Sequence, residues 1–242
     1  YNESFGLGPG AFHESFGDMT AMLVAMHDDS LVRRLLEWTD SDLTKDNFVA
    51  QVAEQLTEAM RVQQLNYLRG HTVYLRNAIN SLTSVPFDDL PYRPQDPDLQ
   101  LGRQIHNYSR LFTGAFYDIL TGIYDCLRTD TPPHIAIYRA RDIAANLLVN
   151  AIELGPVGEF TFADMAQAFL AAEHVLYNGD YQQVLRAVFA ERDLLTETES
   201  KEFVQNLHDL PRVMLPDTIN SALACALFLE QVIVPNLHIP QT

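Results

Sequence analysis

The sequence predicts an all-α protein, a multi-helix bundle, on three observations. Apolar residues recur at three- and four-residue intervals along most of the chain, strand-like alternation is scarce, and no repeat period or low-complexity tract interrupts the pattern. Apolar side chains make up 47% of the 242 residues, enough to build a sizeable core within one or two domains.

The elements follow in order. Phe12, Phe16, Met19, Leu23 and Met26 fall on one face of a first helix over about 11–27. Leu31–Trp38 and Phe48–Leu65 read as the second and third, the latter behind a start signal at Thr44 or Asp46. Pro86, Pro91, Pro94 and Pro97 make 81–101 a long loop, of the kind that tends to carry function. Helical spacing returns over Gly102–Leu127, with Ile105, Tyr108, Phe112, Phe116, Ile119 and Ile123 on one stripe. Further helices are expected over Pro133–Leu154, over Phe162–Leu176 behind a Thr161 cap, and over Tyr181–Arg192 after an Asn178-Gly179 stop. A last one is expected over Asp217–Val234.

Charge narrows the partners. Thirty-two acidic against sixteen basic residues leave a formal charge of -16, which repels nucleic acid and anionic membranes. Solubility, a cationic substrate or a salty habitat would each suit that acidity. Ala222–Val234 is interrupted by Glu230 and Gln231 and is too short to span a bilayer. Tyr1–Gly10 has no basic start or apolar run, so it does not read as a signal peptide, and the chain is expected to begin part-way through a longer protein. Cys126 and Cys225 both sit in apolar helical patterns and are expected to be buried thiols rather than a disulfide.

Glu14 and Asp18 are four apart, so they share a face of the first helix, continued by Ala21 and Ala25, across from the apolar stripe. Burial on both sides would require those carboxylates to be paired, metal-bound or protonated. A solvated first turn, where acids suit the helix dipole, is the other reading.

Gly10-Ala11-Phe12-His13-Glu14-Ser15-Phe16-Gly17-Asp18 resembles the G-A-x-N-E-x-x-S-D helix of thermolysin-like zinc metallopeptidases, the gluzincin clan. His13 stands where that family usually has Asn and Gly17 where it has Ser, which looks like a His-Glu branch of the clan. Leu75-Arg76-Asn77 resembles the family's Leu-Arg-Ser segment. His106-Asn107-Tyr108-Ser109, 30 positions after Arg76, resembles its His-Ile-Asn-Ser segment. The closing helices are also similar, as in Arg141-Asp142, Phe162-Ala163-Asp164 and Val188-Phe189-Ala190, so the resemblance covers about 10–195.

The resemblance implies a helical C-terminal lobe over 1–195, with 196–242 an additional helical segment on the same core. It implies that Glu14 is a zinc ligand, and that Asp18 and His13 lie behind the metal shell. Arg76 would bind a substrate carbonyl, His106 would stabilise an oxyanion, and Tyr108 would contact a peptide substrate. A His/His/Glu shell leaves a position for water, and the remaining groups meet charge that develops on oxygen. The H-E-x-x-H helix, with two imidazoles and the general-base Glu, is absent. Zinc is therefore expected only together with an upstream H-E-x-x-H lobe, and this chain alone is expected to be inactive. The alternative is a non-catalytic peptide- or protein-binding module derived from that fold, with Glu14 and Asp18 salt-bridged to Arg76.

The family's acidic partner of its oxyanion His corresponds to Leu101, for which Asp96 or Asp98 could substitute. The other histidines, His27, His71, His134, His174, His208 and His238, read as structural or exposed. No nucleophile elbow is present, and Gly6-Leu7-Gly8 lacks a phosphate-loop lysine.

Overall fold

A computed structural model describes residues 6–52, 76–96 and 99–208, and within them the chain is an all-α multi-helix bundle. It divides into two compact units, Tyr1–Gln205 and Asn206–Thr242. The description below is of the first. Most of the second, including the expected Asp217–Val234 helix and Cys225, lies outside the described residues, as do most of the expected Phe48–Leu65 helix, His71 and His238.

The elements are α1 (Leu7–Ala25), α2 (Asp29–Thr39), β1 (Gln51–Val52), β2 (Arg76–Asn77), α3 (Ile105–Leu127), α4 (Pro133–Leu154), α5 (Phe162–Tyr177), α6 (Gln182–Glu191) and α7 (Glu197–His208). Helix α1 begins four residues before the expected start. Pro9 falls in its first turn, where the missing N–H has no intrahelical acceptor to lose. Asp28 caps α2, its Oδ1 accepting from Ser30 N at 2.8 Å. Thr161 and Asp164 form the reciprocal capping box that opens α5, and Asn178 (φ 53°) with Gly179 (φ 96°) ends it in left-handed backbone.

Three expectations change. Residues 48–50 form a turn leading into β1: Asn47 Oδ1 accepts from the amides of Val49 and Ala50 as a helix N-cap would, but the chain then extends so that Gln51 and Val52 pair with Asn77 and Arg76. Phe16 is 39% exposed on α1, at the edge of a buried face that is centred instead on Ser15, Met19, Met22 and Met26. Cys126 is an exposed free thiol, beside a fully buried stripe that passes through Ile123 and Tyr124.

Helix α3 is the axis of the bundle and packs on α1, α4, α6 and β2. Its stretch Leu111–Tyr117 is buried on every side, as a helix enclosed by neighbours must be. Phe112 meets Phe12 edge-on at 5.3 Å and lies 5.2 Å from Phe162 and 5.6 Å from Phe169, tying α1, α3 and α5 together. Each such ring contributes about 1.5–3 kcal/mol by leaving water. In the described part of the loop before α3, Arg103 stacks on Phe87 and Tyr92, each at 4.7 Å, and donates to Leu90 O at 2.8 Å.

A helix follows Leu195, within the segment expected to be helical. A Thr196–Glu199 box, with the two side chains accepting from each other's amides at 3.1 and 2.8 Å, starts α7, whose Val204 joins the core of the first unit.

Candidate functional site

The site forms where α1 crosses the start of α3. Ser15 permits that close crossing: it is fully buried, and its Oγ lies 2.9 Å from Ser109 O and 3.0 Å from Ala11 O. With the two backbones so near, polar side chains on their outer flanks can touch.

Glu14 and Asp18 stand in the second and third turns of α1, not in its first, so neither is a solvated helix-start acid. Asp18 is 3% exposed. Arg76, arriving on β2, grips it with two parallel hydrogen bonds, Nη2 to Oδ1 at 2.6 Å and Nε to Oδ2 at 2.8 Å. Thr113, two turns after His106 on α3, adds a weak donor at 3.4 Å. Burial pushes the Asp18 carboxyl above the ordinary carboxylate range, and the neighbouring Glu14 charge adds to that, while Arg76 and Thr113 pull it back.

One turn away, His106 Nδ1 lies 2.9 Å from Glu14 Oε2. A carboxylate can only accept, so Nδ1 carries the proton. The imidazole is 60% exposed on its side chain and Glu14 is 14% exposed, so the pair borders solvent while Asp18 does not. The carboxylate that meets His106 is thus Glu14. Leu101 is buried in the core, and Asp98 lies outside the described residues.

The local chain explains how Arg76 arrives. Val52 pairs with Arg76 in the short antiparallel ladder, and Ala78 N donates to Ala50 O at 2.8 Å. Asn77 Nδ2 reaches Asp46 at 3.1 Å, and Asn80 Nδ2 reaches Arg110 O at 3.3 Å, so side-chain amides pin the segment between α3 and the turn after α2.

Glu14, Asp18, Arg76 and His106 therefore lie along one flank of α1. Tyr108 turns elsewhere: its ring stacks on Phe162 at 4.7 Å and is committed to packing, and burial raises its hydroxyl pKa. His13 is exposed, and Gly17 has open space where a side chain would sit. Ala21 is exposed and Ala25 half-buried, so the acidic flank is closed over at Asp18 and open beyond it. Ser15 and Thr113 escape a reading of the sequence. Thr113 carries a signal in its seven-residue spacing from His106.

Among the described residues no group of three or more His, Cys, Asp or Glu side chains comes together as a metal shell. Glu14 offers one oxygen donor of a kind suited to zinc, and Asp18 is engaged by Arg76, so further ligands would have to come from elsewhere. His27, His134 and His208 are exposed, and His174 is half-buried. No helix among the described residues is long and apolar enough to cross a membrane. Comparison of the chain with protein-family models, with curated proteins and with solved structures finds no match.

Proposed function

We propose that this chain is the helical lobe of a thermolysin-like zinc metallopeptidase and acts on peptide bonds only in company with an H-E-x-x-H lobe. What supports the reading most is the convergence of Glu14, Asp18, Arg76 and His106. Arg76 is 58 positions from Asp18 and His106 is 92 from Glu14, yet both reach the same flank of α1. Glu14 would lend one oxygen to the zinc, which when bound would supply Lewis acidity. Arg76, fixed in direction by Asp18, would hold a substrate carbonyl, and His106 would donate to charge developing on oxygen. His106 must leave Glu14 for that role, which its solvent-facing position permits.

The test joins the chain to the H-E-x-x-H lobe and measures zinc content and peptide hydrolysis. Glu14→Gln should lose zinc. His106→Ala should keep zinc and lose about 10²–10³ in kcat, the usual cost of one oxyanion donor. Unchanged zinc content in Glu14→Gln would refute the assignment.

A second reading is a non-catalytic peptide- or protein-binding module. It is favoured by the fact that both carboxylates already have partners, so the two pairs could serve as cross-links between α1, β2 and α3. It predicts no H-E-x-x-H coding sequence ahead of Tyr1 and no zinc dependence of any activity.

A further inference from the structure

The Glu14–His106 contact joins two groups that the peptidase reading needs apart. Glu14 Oε2 accepts from His106 Nδ1 at 2.9 Å, so the one proton that a neutral imidazole can donate is already spent. The nitrogen left over, Nε2, is then an acceptor, and it has nothing to give to charge developing on oxygen. The same contact occupies one of the two oxygens of Glu14. Each group masks the other.

Exposure gives the order in which they are reached. The imidazole side chain is 60% exposed and the carboxylate 14%, so a group arriving from solvent meets the ring before it meets Glu14. Of the two acids on this flank, Asp18 is gripped by Arg76, which leaves Glu14 as the acceptor for His106. The backbone under the ring is fixed. Ser109 Oγ donates to His106 O at 3.0 Å, and Gly102 N donates to Asn107 Oδ1 at 2.6 Å, so release of the imidazole requires rotation of one exposed side chain and no movement of α3.

We propose that Glu14 and His106 form a reversible lock, in which each occupies the other until the carboxylate passes to zinc and the imidazole is freed in the same step. The inference rests on the peptidase reading and concerns the regulation of that site: the oxyanion donor becomes available only where the metal is. A hydrogen bond that must be given up for metal opposes zinc by its own strength, and zinc opposes the hydrogen bond equally. The deeper Asp18–Arg76 pair takes no part in the exchange, so Arg76 keeps its direction in both states.

The first measurement uses this chain alone. Nitrogen NMR of the neutral His106 imidazole should show the Nδ1–H form in wild type and a return to the Nε2–H form, the usual one in water, in Glu14→Ala. The same form in both would overturn the lock. The second uses the protein together with its H-E-x-x-H lobe and reads zinc affinity by competition with a chelator. His106→Ala should bind zinc about 3–10-fold more tightly than wild type, because it has no hydrogen bond to give up. His106→Asn, whose amide donates from nearly the place of Nδ1, should stay close to wild type. Equal or weaker zinc binding by His106→Ala would overturn the lock and leave the peptidase reading in place. Absence of zinc from wild type and variants alike would remove that reading and the lock with it.

Discussion

Two of the carboxylate–guanidinium pairs in this bundle, Asp18–Arg76 and Asp118–Arg192, are inside out relative to each other. In Asp18–Arg76 the acid is sealed, its side chain 4% exposed, while the guanidinium keeps 16% of its surface. In Asp118–Arg192 the cation is sealed at 4% and the acid keeps 36%. Arg192 spreads its donors over Asp118, Asn80 and Leu82 and so locks the end of α6 to α3 and the 79–83 segment. Arg76 gives two hydrogen bonds to Asp18, and its Nη1 makes none among the described residues. A saturated cation is a fastener. One that keeps free N–H groups at an edge can still meet a ligand. By the same logic, the half-free member of the other pair is Asp118.

The difference can be broken at its strong end first. Arg192→Ala should cost about 3–5 kcal/mol in denaturant unfolding, because Asp118 and the Asn80 carbonyl lose their buried partner. Arg76→Ala should cost about as much near neutral pH, because it strands the sealed Asp18 carboxylate. Adding Asp18→Asn should recover most of the Arg76→Ala loss, whereas adding Asp118→Asn to Arg192→Ala should recover little, since Asp118 is already open to water. Equal recovery would erase the distinction between the two pairs. Gly114 lies flat beneath the fastener, and a Cβ there would meet Arg192 Nη1 at 2.7 Å and Cζ at 2.9 Å. Gly114→Ala should therefore destabilise by about 1–3 kcal/mol, since the guanidinium is held and cannot move aside. Gly17, beside the open pair, has nothing within 4 Å of such an atom. Gly17→Ala should stabilise α1 by about 0.5–1 kcal/mol, read as a raised melting temperature.

The smallest effect concerns pH. Hydrogen bonds from Ser30 and Leu31 hold the exposed Asp28 carboxyl below its ordinary value. A lowered folded pKa stabilises above the unfolded value of about 4 and is lost as pH falls through the folded value. An asparagine in its place would cap at every pH, so wild type should lose stability relative to Asp28→Asn on acidification, as read by melting temperature against pH. Asp18 and Asp118, raised by burial, act in the opposite sense: their contribution is full at low pH and declines as pH rises through their folded values.

Local rules carry the helices well where a strong period meets a proper terminus. Pro133–Leu154 needs only its proline start and apolar stripe, and Phe162–Tyr177 needs Thr161, Asp164 and the Asn178-Gly179 stop, all readable because capping is chemistry within four residues. The Thr196–Glu199 box is equally local, yet the weak apolar pattern behind it hides the helix it opens. The turn at 48–50 defeats the periodicity because Gln51 and Val52 leave it to pair with Asn77 and Arg76, partners remote along the chain, although Asn47 meets its amides as a helix cap would.

The candidate site divides the same way. Spacing alone puts Glu14 and Asp18 on one helix face, and the resemblance singles out Arg76 and His106 as companions. Which acid meets which cation is settled only in three dimensions, because it depends on the depth at which α1 crosses α3, and that depth is set by Ser15 and the Phe12–Phe112 contact. The Asp118–Arg192 pair leaves no trace in the sequence, since its members are 74 positions apart and join only when α6 folds back on α3. A sequence records the period and the caps of each helix. Burial, which turns a charge into either a fastener or a binding group, belongs to the packed whole.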